Sequence, residues 1–254
     1  GYIGSHTVKR LKHAGHRPII YDNLSRGHDV VAKILDVPAI FADLNDRQVL
    51  RRALKENQID TVMHFAAYAY VGESVENPLM YYQNNVAVTI NVLQCMQECN
   101  VNRFIFSSTC ATYGDPEKIP MTEDEKQKPV SPYGRSKLMV EEILKDYADS
   151  DKKFAFAALR YFNASGCAAD GTLGEDHDPE PHLIPVVLQT LLGQREKVTL
   201  FGEDYPTKDG TNVRDYIHVD DLADAHILAM QKLSQGQRIF LNLGTGRGFS
   251  VKEI

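Results

Sequence analysis

The chain has 254 residues, 43% of them hydrophobic and 24% charged, an ordinary globular composition with room for one large domain or two smaller ones. A formal net charge of −6 with no basic block argues against nucleic acid and against an anionic membrane as partner. No apolar run nears the roughly 20 residues that span a bilayer, no stretch has the pattern of a signal peptide, and the four cysteines (Cys95, Cys99, Cys110 and Cys167) make neither a disulfide nor a zinc pattern, which fits a reducing cytoplasm.

Gly1-Tyr2-Ile3-Gly4-Ser5-His6 runs straight into a helical pattern carrying Val8 and Leu11 and ended by Gly15. The strand Arg17 to Asp22 follows. A helix that starts on spaced glycines and leads into a strand reads as the back half of a dinucleotide-binding βαβ unit, because glycines let a pyrophosphate approach the helix N-terminus. Asp22 ends that strand close to the ~20-residue offset of an acid that grips a ribose 2′-hydroxyl, which favours NAD over NADP. One glycine and the strand before it are missing from the fingerprint.

Strands and helices then alternate. Ala39 to Ala42 is a short strand leading to Asp43, and Asn45 is expected to cap a helix carrying Val49, Leu50 and Leu54. Thr61 to Ala66 is a buried strand. Asn77-Pro78 opens a long helix with apolar positions at Tyr81, Val88, Val92, Cys95 and Cys99, the two cysteines being small buried hydrophobes. Phe104-Ile105-Phe106 is the next strand. Such alternation predicts an α/β fold with a doubly wound parallel sheet covered on both faces. Ligands of these sheets lie beyond the carboxyl ends of the strands, where Asp22, Asp43, Phe65 to Ala67 and Ser107 to Thr109 all fall.

Ser131-Pro132-Tyr133-Gly134-Arg135-Ser136-Lys137 reads as a helix start, with Ser131 as N-cap and Pro132 at the first helical position. Tyr133 and Lys137 are four apart and share a helix face. A tyrosine titrates near ~10, so bringing it to about 7 takes roughly 4 kcal/mol of differential stabilisation. A nearby lysine ammonium favours the phenolate, and a cationic cofactor favours it further. A hydroxyl at a strand end can be a simple turn former, but with Tyr133 following on a helix, Thr109 can instead complete a hydroxyl–tyrosine–lysine site.

At this point the chain resembles the extended short-chain dehydrogenase/reductase family. Its UDP-sugar 4-epimerase branch is matched by His64-Phe65-Ala66-Ala67, Val71-Gly72-Glu73-Ser74, Leu159 to Asn163, Leu200 to Thr207 and Asp209 to Ala223. The resemblance runs essentially from end to end. It implies a Rossmann-type NAD-binding domain over 1–164 and a smaller α/β substrate-binding domain over 165–254, with segments 213–219 and 238–243 returning to the first. It also implies interconversion of UDP-galactose and UDP-glucose by transient oxidation at sugar C4 with tightly bound NAD. Tyr133 would be the acid or base on the 4-hydroxyl, Lys137 would lower its pKa and hold the nicotinamide ribose, and Thr109 would bond the sugar oxygen. Gly1, Gly4, Asp22, Asn23, Asp43, Leu44, Phe65, Ala66, Ala67, Asn84, Tyr133, Lys137 and Phe162 match positions lining NAD. Asn163, His182, Leu183, Phe201 and Arg214 match positions holding the UDP-sugar. The helices starting near Pro78 and Pro132 would form a homodimer interface.

Three departures stand out. Ala69 replaces a cofactor-contacting lysine of some relatives, and His182 replaces an asparagine. The first strand and a C-terminal segment of the family are absent, so the chain reads as an incomplete copy. It is expected by itself to fold poorly or to bind NAD weakly, because the two neighbours of a central strand are left with open ladder edges. Glu175-Asp176-His177-Asp178-Pro179-Glu180-Pro181-His182 has metal-binding residue types, but an acidic, proline-broken stretch reads as a substrate-domain loop, and no metal is expected. A 4,6-dehydratase on the same fold would carry an Asp-Glu pair after the threonine, where this chain has Cys110 and Ala111. Another UDP-sugar, such as UDP-N-acetylglucosamine or UDP-xylose, is an alternative substrate. A non-catalytic NAD-binding role is the reading from a different class, and intact Thr109, Tyr133 and Lys137 argue against it.

Overall fold

The computed structural model describes Gly1–Ile254. In chain order the elements are α1 (Tyr2–His13), β1 (Ile20–Asp22), α2 (Val30–Leu35), β2 (Ala39–Phe41), α3 (Arg47–Glu56), β3 (Thr61–His64), α4 (Val71–Glu76), α5 (Pro78–Tyr81), α6 (Val88–Glu98), β4 (Arg103–Thr109), α7 (Pro132–Ser150), β5 (Ala155–Tyr161), β6 (Asn163–Ser165), α8 (Leu183–Leu191), β7 (Val213–His218), α9 (Val219–Lys232), β8 (Arg238–Leu243) and β9 (Gly248–Ser250). No helix is long and apolar enough to cross a membrane.

β3, β4, β5 and β8 form a parallel sheet in that order. The period of two along its central strands explains why both faces are covered. Phe104, Phe106, Phe156 and Ala158 point to one face, where they pack with Leu50 and Leu54 of α3, Val92 and Met96 of α6 and Leu144 of α7. Ile105, Ala155, Ala157 and Leu159 point to the other, against Leu222, Ile227 and Met230 of α9, with Ile3 and Leu11 of α1 alongside. Each fully buried side chain of this size contributes about 1.5–3 kcal/mol relative to exposure.

The doubly wound sheet is divided. β1 and β2 pair in parallel as a separate two-stranded sheet, and no strand bridges β1 to β3. The open edges of both strands line one large cavity. A third sheet joins β6, β7 and β9, with β7 parallel to β6 and antiparallel to β9. Of the two segments expected to return, Arg238–Leu243 lies beside β5, whereas Val213–His218 pairs with β6 rather than with the large sheet.

Two local expectations are corrected. Asp46, not Asn45, caps α3, its carboxylate accepting from the Gln48 and Val49 amides at 3.2 and 3.1 Å. Asn45 instead bonds Asp43 through its backbone N–H and its side chain, both at 2.8 Å. The long helix after Pro78 is also not uniform, because Tyr82–Ala87 is wound as π-helix between α5 and α6. Such bulges inside α-helices are frequent at functional sites, and this one carries Asn84 and Asn85.

Candidate active site

The first turn of α7 is fixed by three contacts. The Ser131 hydroxyl accepts from the Gly134 amide at 3.1 Å, as its N-cap role requires. Ser136 Oγ donates to the Tyr133 carbonyl at 2.7 Å and accepts from Asn85 Nδ2 at 3.1 Å. Asn85 also bonds the backbone N–H and C=O of Tyr68 at 2.9 and 3.0 Å, so it clamps the loop after β3 to α7. Gly134 itself lies against the turn after β4. A Cβ there would stand 2.4 Å from the Ala111 carbonyl oxygen, so only glycine fits.

That turn carries Thr109, whose hydroxyl accepts from the Ala111 amide at 3.1 Å. Tyr133 is buried, with its ring edge-on to Tyr81 at 6.4 Å between centroids. Burial pushes its phenol well above the usual value and Tyr161 adds to the rise, while the neighbouring Thr109 hydroxyl pulls it partly back. Lys137 is not among the groups that move it. Lys137 Nζ donates instead to the Ser107 carbonyl at 2.7 Å and lies 4.9 Å from the Phe106 ring centroid. Burial lowers the Lys137 pKa to about 7, with Glu141 opposing the fall. Desolvation thus outweighs the i,i+4 pairing in the protein alone. Cys110 is no rival nucleophile: burial pushes its thiol up to about 11, against the opposing charge of Arg214.

One cavity of about 3060 Å³ runs past this triad and past every other residue singled out from the sequence. One end of it is built on α1, which starts at Gly1 with no side chain capping its N–H groups, leaving donors for an anion. A Cβ on Gly4 would lie 3.6 Å from the Phe65 ring, which floors this end. Asp22 accepts from the Leu24 amide at 2.8 Å. Asn23 does not face the cleft alone: its Nδ2 donates to Asp43 at 2.8 Å, tying the ends of β1 and β2 together. Bonds from Asn23 and Asn45 hold the Asp43 carboxyl below its usual range. Leu44, Ala66, Ala67 and Asn84 line the same end. Beside uncharged Ala69, the chain supplies a cation that its sequence did not flag. The Arg26 guanidinium lies 5.3 and 5.1 Å from the ring centroids of Tyr68 and Tyr70 and pairs with Glu73 at 2.6 Å.

At the other end stand Phe162, Asn163, Leu183, Phe201 and Arg214. Asn163 Nδ2 donates to the Asp215 carbonyl at 3.1 Å. Arg214 bonds Asn212 Oδ1 at 2.9 Å and pairs with no carboxylate, so its charge is free for a ligand. Asp215 holds the following loop instead, accepting from the Thr245 amide and hydroxyl at 2.9 and 2.8 Å and from the Gly246 amide at 2.8 Å. His182 turns Nδ1 to Glu175 and Glu180, both at 2.8 Å. Burial opposes its protonation, but the two carboxylates raise its pKa. Donor atoms of Glu175, His177, Glu180 and His182 lie within 4.8 Å of one another, so the loop is more compact than its sequence implied. Imidazole–carboxylate bonds within the loop account for both Glu180 and Glu175, and they hold the Glu175 carboxyl below its usual range against the effect of burial.

Gly134, Asn85 and Arg26 escaped the sequence reading. A glycine inside a helix pattern was the one available signal, since such a residue usually has a packing or functional reason.

A profile of the NAD dependent epimerase/dehydratase family matches residues 1–244. A UDP-glucose 4-epimerase of Halalkalibacterium halodurans is 49% identical over 100% of this chain and 75% of its own length. Among solved structures, a UDP-glucose 4-epimerase from Brucella ovis in complex with NAD superposes with a TM-score of 0.94 at 47% identity, covering 100% of this chain and 77% of that one. One from Bifidobacterium longum in complex with NAD+ and UDP gives 0.96 at 40% identity, covering 100% and 78%. The chain therefore spans about three quarters of the length of these relatives.

Proposed function

The chain belongs to the NAD dependent epimerase/dehydratase family, and from that premise we infer that it is a UDP-glucose 4-epimerase interconverting UDP-galactose and UDP-glucose. The observation that carries this is the meeting of Thr109, Tyr133 and Lys137 in the same cleft as the glycine-started helix α1. The residues fit the cofactor: uncapped N–H groups at α1 suit a pyrophosphate, and the Asp22 carboxylate at the β1 end suits a ribose diol. Bound NAD would supply the hydride acceptor for sugar C4 and then the hydride donor for the resulting ketone, so there would be no net oxidation. Tyr133 takes the proton of the 4-hydroxyl and gives it back, Thr109 orients the same oxygen, and Lys137 supplies the buried positive charge beside them. A positive charge added by bound cofactor offsets the burial that holds Tyr133 protonated.

The test is conversion of UDP-galactose to UDP-glucose by the purified protein, first without and then with added NAD. Turnover is expected. Its absence in a folded, NAD-loaded sample overturns this substrate and points to another UDP-sugar; absence with all of them points to a binding role.

Arg214 is read as the diphosphate partner, with Asn163, Leu183, Phe201 and His182 lining the rest of the substrate end. A charge-assisted hydrogen bond contributes about 1.5–3 kcal/mol, so Arg214→Ala is expected to raise KM for the UDP-sugar roughly 10- to 100-fold with little change in kcat. Steady-state kinetics decides it, and an unchanged KM refutes the assignment.

Residues 1–164 are proposed as the cofactor half and 165–254 as the substrate half, with no metal assigned to either. Free Cys95, Cys99, Cys110 and Cys167 support a cytoplasmic setting. Leu79 and Met139, exposed by 80% and 46% on the helices starting at Pro78 and Pro132, support a homodimer through those helices. Light scattering after size exclusion should then give twice the chain mass, and Leu79→Glu with Met139→Glu should give a monomer.

A further inference from the structure

α7 continues its active face one turn beyond Lys137. Tyr133, Lys137 and Glu141 follow at i, i+4 and i+8, and all three are buried. Glu141 is fully enclosed, and both of its carboxylate oxygens are saturated. Oε1 accepts from Ser108 Oγ at 2.5 Å and from Arg160 Nε at 3.0 Å. Oε2 accepts from Arg160 Nη2 at 2.7 Å and from Gln127 Nε2 at 3.0 Å. Arg160 Nη1 also donates to Tyr113 Oη at 2.8 Å, and Tyr113 donates onward to Asn242 at 2.6 Å. Well-packed hydrophobic residues in place of a buried ion pair are often as stabilising, so stability alone gives no reason for this one.

Its location does give a reason. Three consecutive residues at the end of β4 dock on the active face of α7. The Ser107 carbonyl receives Lys137 and the Ser108 hydroxyl donates to Glu141, while Thr109 is the hydroxyl that favours the Tyr133 phenolate. Of the other buried titratable groups near the site, His64 on β3 feels the Lys137 charge, Tyr161 and Cys110 act on Tyr133, and Arg160 pairs with Glu141. Burial keeps Tyr133, Tyr161, Cys110 and His64 uncharged at neutral pH. Glu141 is then the one anion of the set, and it counters the loss of charge at Lys137.

We propose that Glu141 is a positioning residue of the epimerase reaction, holding Lys137 as the ammonium and, through Ser108 and Arg160, locking α7 in register with the β4 end that carries Thr109. The proposal rests on the epimerase reading above. Removing an anion favours loss of the proton from Lys137, so the alkaline limb of the activity profile must move to lower pH.

The experiment is the pH dependence of kcat and kcat/KM for NAD-loaded wild type, Glu141→Gln and Glu141→Asp with UDP-galactose. The Gln protein is expected to show its alkaline limb about one pH unit lower, a kcat loss of about tenfold or more above neutral pH, and an unchanged KM. The Asp protein, which keeps the charge, should return the limb towards its original place. A purely packing role would lower kcat by the same factor at every pH, and an unmoved limb in folded Glu141→Gln overturns the proposal. Should that protein not fold, Ser108→Ala removes the hydrogen bond from β4 to Glu141 and keeps both charges; kcat should fall, and an unchanged kcat is equally fatal. Absence of turnover in the wild type would instead refute the epimerase reading.

Discussion

A Tyr133→Phe protein is expected to lose at least about 10³-fold in kcat while keeping its cofactor, since a positioned acid–base group contributes about 10²–10⁴-fold. The substitution removes one oxygen and leaves the ring, which stacks edge-on against Tyr81 at 6.4 Å, so the packing of α7 persists. Thr109 is the hydroxyl that favours the phenolate, and it keeps the Ala111 amide as its partner. The α1 amides and the Asp22 carboxylate, proposed above to hold the cofactor, are untouched. The cost to stability is therefore about that of one hydrogen bond, roughly 1 kcal/mol. Two measurements separate chemistry from folding: kcat with UDP-galactose, and NAD released from the purified protein by denaturation. Turnover within tenfold of the wild type would remove Tyr133 from the proton path. Lost NAD would show that the hydroxyl serves binding as well.

The extent to which this site was legible depends on what kind of contact made it. The Ser131 cap and the shared face of Tyr133 and Lys137 are local, set by helix geometry, and they are read correctly from spacing. The placement of Asp22, Asp43 and Thr109 at strand carboxyl ends follows from alternation of strands and helices, which the opposite-facing side chains of Phe104, Ile105 and Phe106 also encode. The protonation states were not legible. Four-residue spacing brings an ammonium near a phenol, but burial decides both pKa values, and burial comes from elements distant in sequence, such as β4 at Ser107 and α5 at Tyr81. Asn45 and Asp46 are equally good caps by type. Asp43 binds Asn45 through two hydrogen bonds, which removes it from the choice. The winding of Tyr82–Ala87 as π-helix has no mark in its composition. It coincides with Asn85 reaching both Tyr68 and Ser136, a tertiary contact that no single-segment pattern contains. His182 shows the same limit, since its partners Glu175 and Glu180 are near in sequence yet meet it only because the loop folds back on itself.

Gly134→Ala is the second large effect, and helix propensity gives it the wrong sign. Alanine is better than glycine inside a helix by about 1 kcal/mol, so an isolated α7 would gain. In the protein the new Cβ would meet the Ala111 carbonyl oxygen at 2.4 Å and Pro129 Cβ at 3.0 Å. The first obstacle is backbone and cannot rotate away. Either α7 or the turn after β4 must retreat, and overpacking of this kind costs about 1–3 kcal/mol. The retreat has a direction: it separates Tyr133 from Thr109, because the two obstructing segments are the ones that carry them. A displacement of about 1 Å at reacting groups costs about 10²-fold in rate. The expected protein therefore folds, melts lower than its parent and turns over about 10²-fold more slowly. Gly72→Ala on α4 is the matched control, since its Cβ would meet nothing within 4 Å. Its melting temperature and kcat should equal or exceed the parent's. Thermal melts and kcat for both proteins decide the matter, and a Gly134→Ala protein as active as Gly72→Ala would show that the spacing of α7 from the Thr109 turn does not set the rate.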